Sequence, residues 1–419
     1  MTTFIELHDH NIRISSPQGL LGESPGFANT FEKPPVFGTD ALALTRLHPQ
    51  QSFNQFWFQL GLDPLVNKNK LFRHQADLAF GHLEKITQQF ELDGDAVFAV
   101  PSHYNTNQLA TLLGLVKHCS IEATGLVDLA LLAMARLHEH QQALFMDVQL
   151  HQTVLTLVSK QQGEIIREKV LPVPGTGLLA LHDAWANTIT DAFIKQSRFD
   201  PLHNADTEQY IYSELESWLK SVATNKEILI EINNKGTIYQ ASLTLKNFEQ
   251  RAQAIFRRVA QEIEAIAPVA VPVYLLERLF FLPGLQQIIP GIITVPDNSI
   301  TENGYQHLEL IKSSDQALKL VSRLPVPQQQ KPAPKTAIVQ PTHFLFQHKA
   351  YNLPDINLPE LNLGTPITVS LENEGFCLHN NPELDLRLND RAFSEPTLLK
   401  LGDRLTINNK NTIDFIRVQ

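Results

Sequence analysis

The sequence predicts an α/β domain over residues 1–324, a linker over 325–340 and a small all-β sandwich over 341–419. Three observations carry this. Between residues 95 and 170, apolar runs of strand length alternate with runs at helical spacing and close in a hairpin. The stretch from Pro325 to Pro334 is rich in proline and glutamine, a semi-extended composition. Beyond it, short strand-like runs at 344–346, 367–371, 375–379, 384–388, 404–407 and 414–418 alternate with turn residues.

The elements follow in chain order. Residues 4–9 and 11–15 predict a tight hairpin, and 36–49 a short helical region around Gly38, Ala41 and Pro49. A second helix is expected over 53–60, with Trp57 packed inside, and a long helix over 72–90. Residues 96–101 form a buried strand closed by Pro101, then 104–119 a helix with Leu109, Leu112, Leu113 and Val116 on one face. Ile121 predicts a strand of one or two residues, and 127–137 a helix apolar almost all round. Residues 143–148 are another buried strand; 152–159 and 163–170 pair with it through a turn at Gln161–Gly163.

The second half repeats the alternation. Gly175 and Gly177 open a helix over 178–197, and 191–219 holds two helices separated at Asp200-Pro201. Strands at 227–232 and 239–245 flank a turn at Asn233–Gly236 and lead into a helix ending near Ile266. A last core strand begins at Val271; 292–295 is a strand, and 303–324 predicts a closing helix.

Composition narrows the function classes. Net charge is −10 with no basic block, which argues against nucleic acid as a main partner. No apolar stretch approaches the roughly 20 residues of a membrane span. The N-terminus carries no basic region followed by an apolar core, so no signal peptide is expected, and a cytoplasmic location is expected with it. The two cysteines, Cys119 and Cys377, are expected as core residues rather than a disulfide. The 16 histidines show no zinc spacing.

Val100-Pro101, the run from Leu129 to Leu137, and Asp147 at a strand end fall in an order and at distances similar to the nucleotide-binding domain of the seventy-kilodalton heat-shock chaperones. Gly38, Ala41, Pro49 and Leu282-Pro-Gly-Leu285 add to that resemblance, as does Lys246-Asn-Phe-Glu249. It implies a two-lobed actin-like ATPase (ribonuclease H-like) domain. Beyond the linker, the run from Leu384 to Phe393 and Leu401-Gly-Asp-Arg404 resemble the closing half of a forkhead-associated domain, with no equivalent before Asn381 of that family's phosphothreonine-binding residues.

The resemblance also assigns positions. Glu6 and Asp147 stand where the family keeps its metal-side acids, and are the catalytic candidates if ATP is hydrolysed. His8 and Asn11 lie in the first phosphate hairpin, Gln149 in the second, Gly175 and Gly177 in the next glycine loop, and Glu277 with Arg278 at the adenosine turn. Val127, with Asp128 beside it, takes the place of a helix-borne glutamate; Lys246, Arg251, Arg257 and Arg258 are the basic residues near the adenine side.

The family's glycines are replaced at all three nucleotide sites, by His8, by the run from Val148 to Gln152, and by Glu277-Arg278. Side chains larger than hydrogen resist the positive φ that phosphate turns require, and Asp9 puts negative charge where phosphate would sit. The expected function is therefore a non-catalytic scaffold or adaptor without cofactor, docking a protein partner through the β domain. Two alternatives remain. One is a divergent chaperone-like ATPase using Mg-ATP. The other is an enzyme of another kind, such as a sugar-kinase relative or a hydrolase, in which His8, Asp9, His10, Asp147 and His151 form a metal site on facing turns.

Overall fold

The computed structural model describes residues 2–65, 70–135, 140–267, 271–312, 318–326, 341–361, 363–372, 375–389, 391–393 and 395–418. The chain divides into two compact units, Met1–Gln328 and Gln329–Gln419. The first is mixed α/β and the second all β.

The first unit starts with β1 (Thr3–Glu6), β2 (Asn11–Ser16) and β3 (Gly19–Pro25), an antiparallel meander. A small sheet follows, formed by β4 (Ala28–Asn29), β5 (Val36–Phe37) and β6 (Ser52–Phe53) around the short helix α1 (Thr39–Leu42). Then come α2 (Gln75–Gln89), β7 (Gly94–Val100), α3 (Thr106–Val116), β8 (Ile121–Asp128) and α4 (Leu129–Ala133). β7 runs parallel to β1 and β8 parallel to β7, giving the order β3-β2-β1-β7-β8.

The chain then builds the same arrangement again. β9 (Gln142–Val148), β10 (Gln152–Gln161) and β11 (Glu164–Pro174) form a second meander. After α5 (Leu178–Ser197), α6 (Ala205–Asn225), the hairpin β12 (Glu227–Asn234) and β13 (Thr237–Thr244), and α7 (Leu245–Ile266), two more strands join in parallel. These are β14 (Val273–Leu276) beside β9 and β15 (Ile293–Val295) beside β14, so the second sheet reads β11-β10-β9-β14-β15. Both sheets thus share one strand order. After α8 (Leu285–Ile288), α9 (Ser299–Gln306) and α10 (Leu308–Ile311), the chain extends both edges: β16 (Leu320–Val321) joins β8, and β17 (Arg323–Pro325) joins β11.

Burial explains the composition of these elements. All four residues of β1 are buried, as a central strand with parallel and antiparallel neighbours demands. α4 is buried at every position because it lies in a core shared by the two sheets, with Phe4 and Val97 from one and Phe145 and Val158 from the other. Each leucine removed from water there contributes about 1.5–3 kcal/mol.

Several expectations need correction. The strand at Ile121 runs eight residues, and its Gly125 lets the Ile311 carbonyl approach where a Cβ would stand only 2.8 Å away. Val127 and Asp128 belong to that strand; the helix behind them is five residues long, its expected tail at 136–137 lying outside the described residues. Residues 54–60 form no helix: Phe56 and Trp57 bury their rings from a turn. Only α6, after a 3-10 turn at Pro201–His203, follows α5 in the 191–219 region. The region 303–324 is not one helix but α9, α10 and strand segments. Pro325 is in β17, so the compact unit passes the expected boundary at 324; residues 327–340 of the linker lie outside the described residues.

The second unit packs two sheets on one core. β18 (His343–Phe346), β19 (Lys349–Asn352), β20 (Val369–Glu372), β21 (Gly375–Leu378), β22 (Leu386–Leu388), β23 (Arg391–Ala392), β24 (Thr397–Leu398), β25 (Arg404–Ile407) and β26 (Asn411–Ile416) are its strands. One sheet reads β19-β18-β26-β25-β22-β23 and the other β20-β21-β24, around Phe344, Leu378, Leu405 and Phe415. No disulfide joins Cys119 to Cys377, and no helix of the described residues is long and apolar enough to cross a membrane.

Candidate functional site: cross-bonded loops between two sheets

At the carboxyl ends of β1, β9, β14 and β15, side chains in the last strand residues and just beyond them bond across a junction. His8, two residues past β1, donates from Nε2 to Asp147 Oδ1 at 2.9 Å. Gln149 Nε2 donates to the other carboxylate oxygen at 2.7 Å. All three side chains are buried. Burial alone lowers the His8 pKa, but the charge and hydrogen bond of Asp147 outweigh it and the pKa is raised. Burial pushes Asp147 up; the charge and hydrogen bond of His8, aided by Gln149, bring it below its ordinary value. The pair is an ion-pair partnership inside the protein, with each member favouring the charged form of the other.

Beside it, Asp9 Oδ1 accepts from the Leu150 backbone N at 2.8 Å, joining the first hairpin turn to the second. The second turn is itself spent on the start of α5. Leu178 N donates to Gln149 O at 2.8 Å, Leu179 N to Leu150 O at 2.9 Å, and Gly175 N to His151 O at 3.1 Å. Free amides at a helix start are what an anion would bind; here chain carbonyls occupy them. Gly177 has extended backbone, and its need for glycine is one of space. A Cβ there would stand 2.4 Å from Gln152 N and 2.5 Å from Leu150 O. Gly175, by contrast, has φ +72° and uses the left-handed region.

The third bond crosses from β14. Arg278 Nη2 donates to Glu6 Oε1, Nη1 lies 3.7 Å from Asp297 Oδ1, and the Arg278 backbone N donates to the same oxygen at 3.0 Å. Glu6 is 1% exposed, so its charge is compensated almost wholly by the guanidinium. Burial works against the charged arginine, and Glu6 with Asp297 more than restores it.

The structure therefore brings Glu6, His8, Asp147, Gln149 and Arg278 to one junction, with Gly175 and Gly177 at its edge. Glu277 is exposed and stands apart. Asn11 pairs through Nδ2 with Glu23 at 2.6 Å. Asp128 caps α4 and binds Arg167 at 2.7 Å and Ser102 at 2.7 Å, a structural use of a buried acid. Lys246, Arg251, Arg257 and Arg258 are exposed along α7. The metal cluster of the alternative reading does not assemble: His151 donates to Asn54 O at 3.0 Å and stacks on Phe58, and no metal-holding group of three or more such ligands occurs among the described residues.

Two features had little or no sequence signal. Asp297 had only a weak one, an acid two residues past a strand. The other is a cavity of about 530 Å³ opening beside the junction, lined by His10, Asn11, Arg46, His182, Asp183, Tyr212 and neighbours. These residues come from segments far apart in sequence, so no spacing announces them. Arg46 bonds Asp183 at 3.1 Å and Glu208 at 3.3 Å and lies 3.6 Å from the centre of the Tyr212 ring. Tyr212 donates to the same Asp183 oxygen at 2.5 Å. Burial lowers the pKa of His10 well below its ordinary value and that of His182 to about 4, so both imidazoles are neutral at pH 7.

No protein-family model matches the chain, and no curated protein matches it.

Proposed function

We propose that the chain is a non-catalytic, actin-like and chaperone-like scaffold or adaptor, whose C-terminal β unit docks a protein partner. Two lobes of one strand order are what a two-lobed actin-like domain requires. The observation that carries the non-catalytic half is the cross-bonding of the two hairpin turns: His8 to Asp147 and Asp9 to Leu150 N.

Mg-ATP does not fit these residues. The candidate acids are committed, Glu6 to Arg278 and Asp147 to His8 and Gln149. The α5 amides that would meet phosphate are bonded to Gln149 and Leu150. Asp9 retains a buried carboxylate oxygen without a partner, which repels a polyphosphate. Fold alone does not carry activity, and here the site residues favour closure over turnover. The divergent-ATPase reading makes the opposite prediction in one assay. With Mg²⁺ and ATP, the full-length protein is expected to release no phosphate above a buffer blank. Turnover that disappears in Asp147→Ala would overturn the proposal.

A further inference from the structure

The hairpin of β12 and β13 has two outer edges, and the chain treats them differently. Beside β13, Gln196 at the end of α5 takes the place of a neighbouring strand. Its Nε2 donates to Ser242 O at 2.9 Å and its Oε1 accepts from Ser242 N at 2.9 Å. Ser197 Oγ donates to Gln240 O on the same edge. That edge is closed. The same bonds fix the geometry of the other one. Ser242 and Gln240 turn their peptide groups away from β12, so the residues opposite them, Leu229 and Glu231, turn theirs away from β13. Among the described residues, no backbone hydrogen bond reaches these outward groups.

Open strand edges are ordinarily blunted by lysine, proline or a bulge. β12 has neither a basic residue nor a proline, and its register with β13 shows no shift. Its solvent face carries Glu227, Leu229 and Glu231, with Leu229 56% exposed, and Ile238 of β13 is 62% exposed. A strand added here gains backbone hydrogen bonds along the edge and covers these apolar side chains.

Charge selects the occupant. Glu231 accepts from the neutral Gln240 amide, and no ion pair holds Glu227 among the described residues. The two carboxylates lie on one face with Leu229 between them. Beside Glu231 opens a cavity of about 280 Å³ lined by Tyr210, Glu231, Asn233 and Ile238. A carboxylate and an exposed aromatic ring in one hollow suit the charged tip and apolar stem of a lysine or arginine. A second copy of the chain suits the edge less well. The antiparallel registers that overlap most would set Glu231 against Leu229 or against its own counterpart, with no cation opposite it.

We propose that β12 takes up, as a third strand, an extended protein segment with Lys or Arg at positions i and i+4 and an apolar residue at i+2. This surface lies in the first unit, whereas the scaffold reading places its partner on the second, so either can fail alone.

The probe is the peptide Ser-Lys-Thr-Val-Thr-Lys-Ser, acetylated and amidated, titrated by calorimetry into the full-length protein; the same peptide with glutamate for lysine is the control. Saturable binding of the basic peptide alone is expected. Leu229→Pro removes an N–H that the hairpin does not use, and should abolish binding with the circular dichroism unchanged. The double variant Glu227→Lys with Glu231→Lys should weaken the basic peptide about tenfold or more and bind the acidic one instead. Successive amides point alternately to the edge and to solvent, so an N-methyl group on either valine or the next threonine should abolish binding, and on the other leave it intact. Absence of binding, equal binding of both peptides, or tolerance of both N-methyl groups would overturn the proposal. So would self-association in sedimentation that Leu229→Pro abolishes, which would give the edge to a second copy. If Leu229→Pro unfolds the protein, the exchange of charge at Glu227 and Glu231 decides.

Discussion

His82 is held neutral by both neighbours. Trp57 Nε1 can only donate, and it donates to Nδ1 at 2.9 Å, so the remaining proton sits on Nε2 and is given to Ser24 Oγ at 2.7 Å. Burial takes its pKa down to about 3. The sign of the pH effect follows. In the unfolded chain His82 gains a proton as pH falls below about 6.5, whereas the folded chain gains it only near 3, so stability is present above 6.5 and lost on acidification. His10, His103 and His182 shift in the same direction, against the raised His8. Denaturant unfolding of the first unit between pH 6.5 and 4.5 should lose stability steadily, and His82→Gln should flatten that slope by about 1.4 kcal/mol per pH unit. An unchanged slope would remove His82 from the account. Gly177 makes a second residue-scale prediction. Gly177→Ala forces a methyl group onto backbone atoms that cannot turn aside, and is expected to cost about 3 kcal/mol in urea unfolding. At this scale the sequence carried part of the answer. Glu6, His8 and Asp147 are candidates that the sequence itself names, but the bonding of His8 to Asp147 was not legible, because residues 139 apart in sequence meet only once both sheets exist.

Strands and helices with clean periodicity were legible, and α5 runs over the expected 178–197. The failures share a cause. Apolar residues at helical spacing in 53–60 and 318–324 reach the core from a turn and from short strands, so spacing alone misassigns their backbone. β8 was hidden by Thr124 and Gly125, which a strand tolerates here because Ile311 packs over the glycine. β3 pairs along the edge that β2 offers it. Between elements, the Glu6–Arg278 bridge ties the end of β1 to the turn after β14. Removing one partner leaves a buried charge. Arg278→Ala should therefore cost about 3 kcal/mol, the low end for a broken buried pair. The double variant Glu6→Gln with Arg278→Met should recover part of that loss, since neither side chain is then charged. Equal stability of wild type and Arg278→Ala would show the bridge to be idle.

The molecule consists of two units with separate cores, one around the paired sheets and one around Phe344, Leu405 and Phe415. Residues 341–419 should therefore fold without the rest of the chain, giving dispersed amide resonances and a cooperative thermal transition of their own. A collapsed, undispersed spectrum would contradict the division. The change of class at the linker was plain in the sequence because strand-length runs replace helical spacing there. The repeat of one strand order in two sheets was not, because it resides in pairing partners rather than in residue pattern. At this scale the central proposal is that the junction between the sheets, filled by its own side chains, binds no nucleotide. Calorimetric titration of Mg-ATP and Mg-ADP into the full-length protein tests it most directly. The account predicts no heat of binding and no thermal shift. A dissociation constant below about 100 μM, roughly −5.5 kcal/mol, that weakens in Asp147→Ala would contradict it.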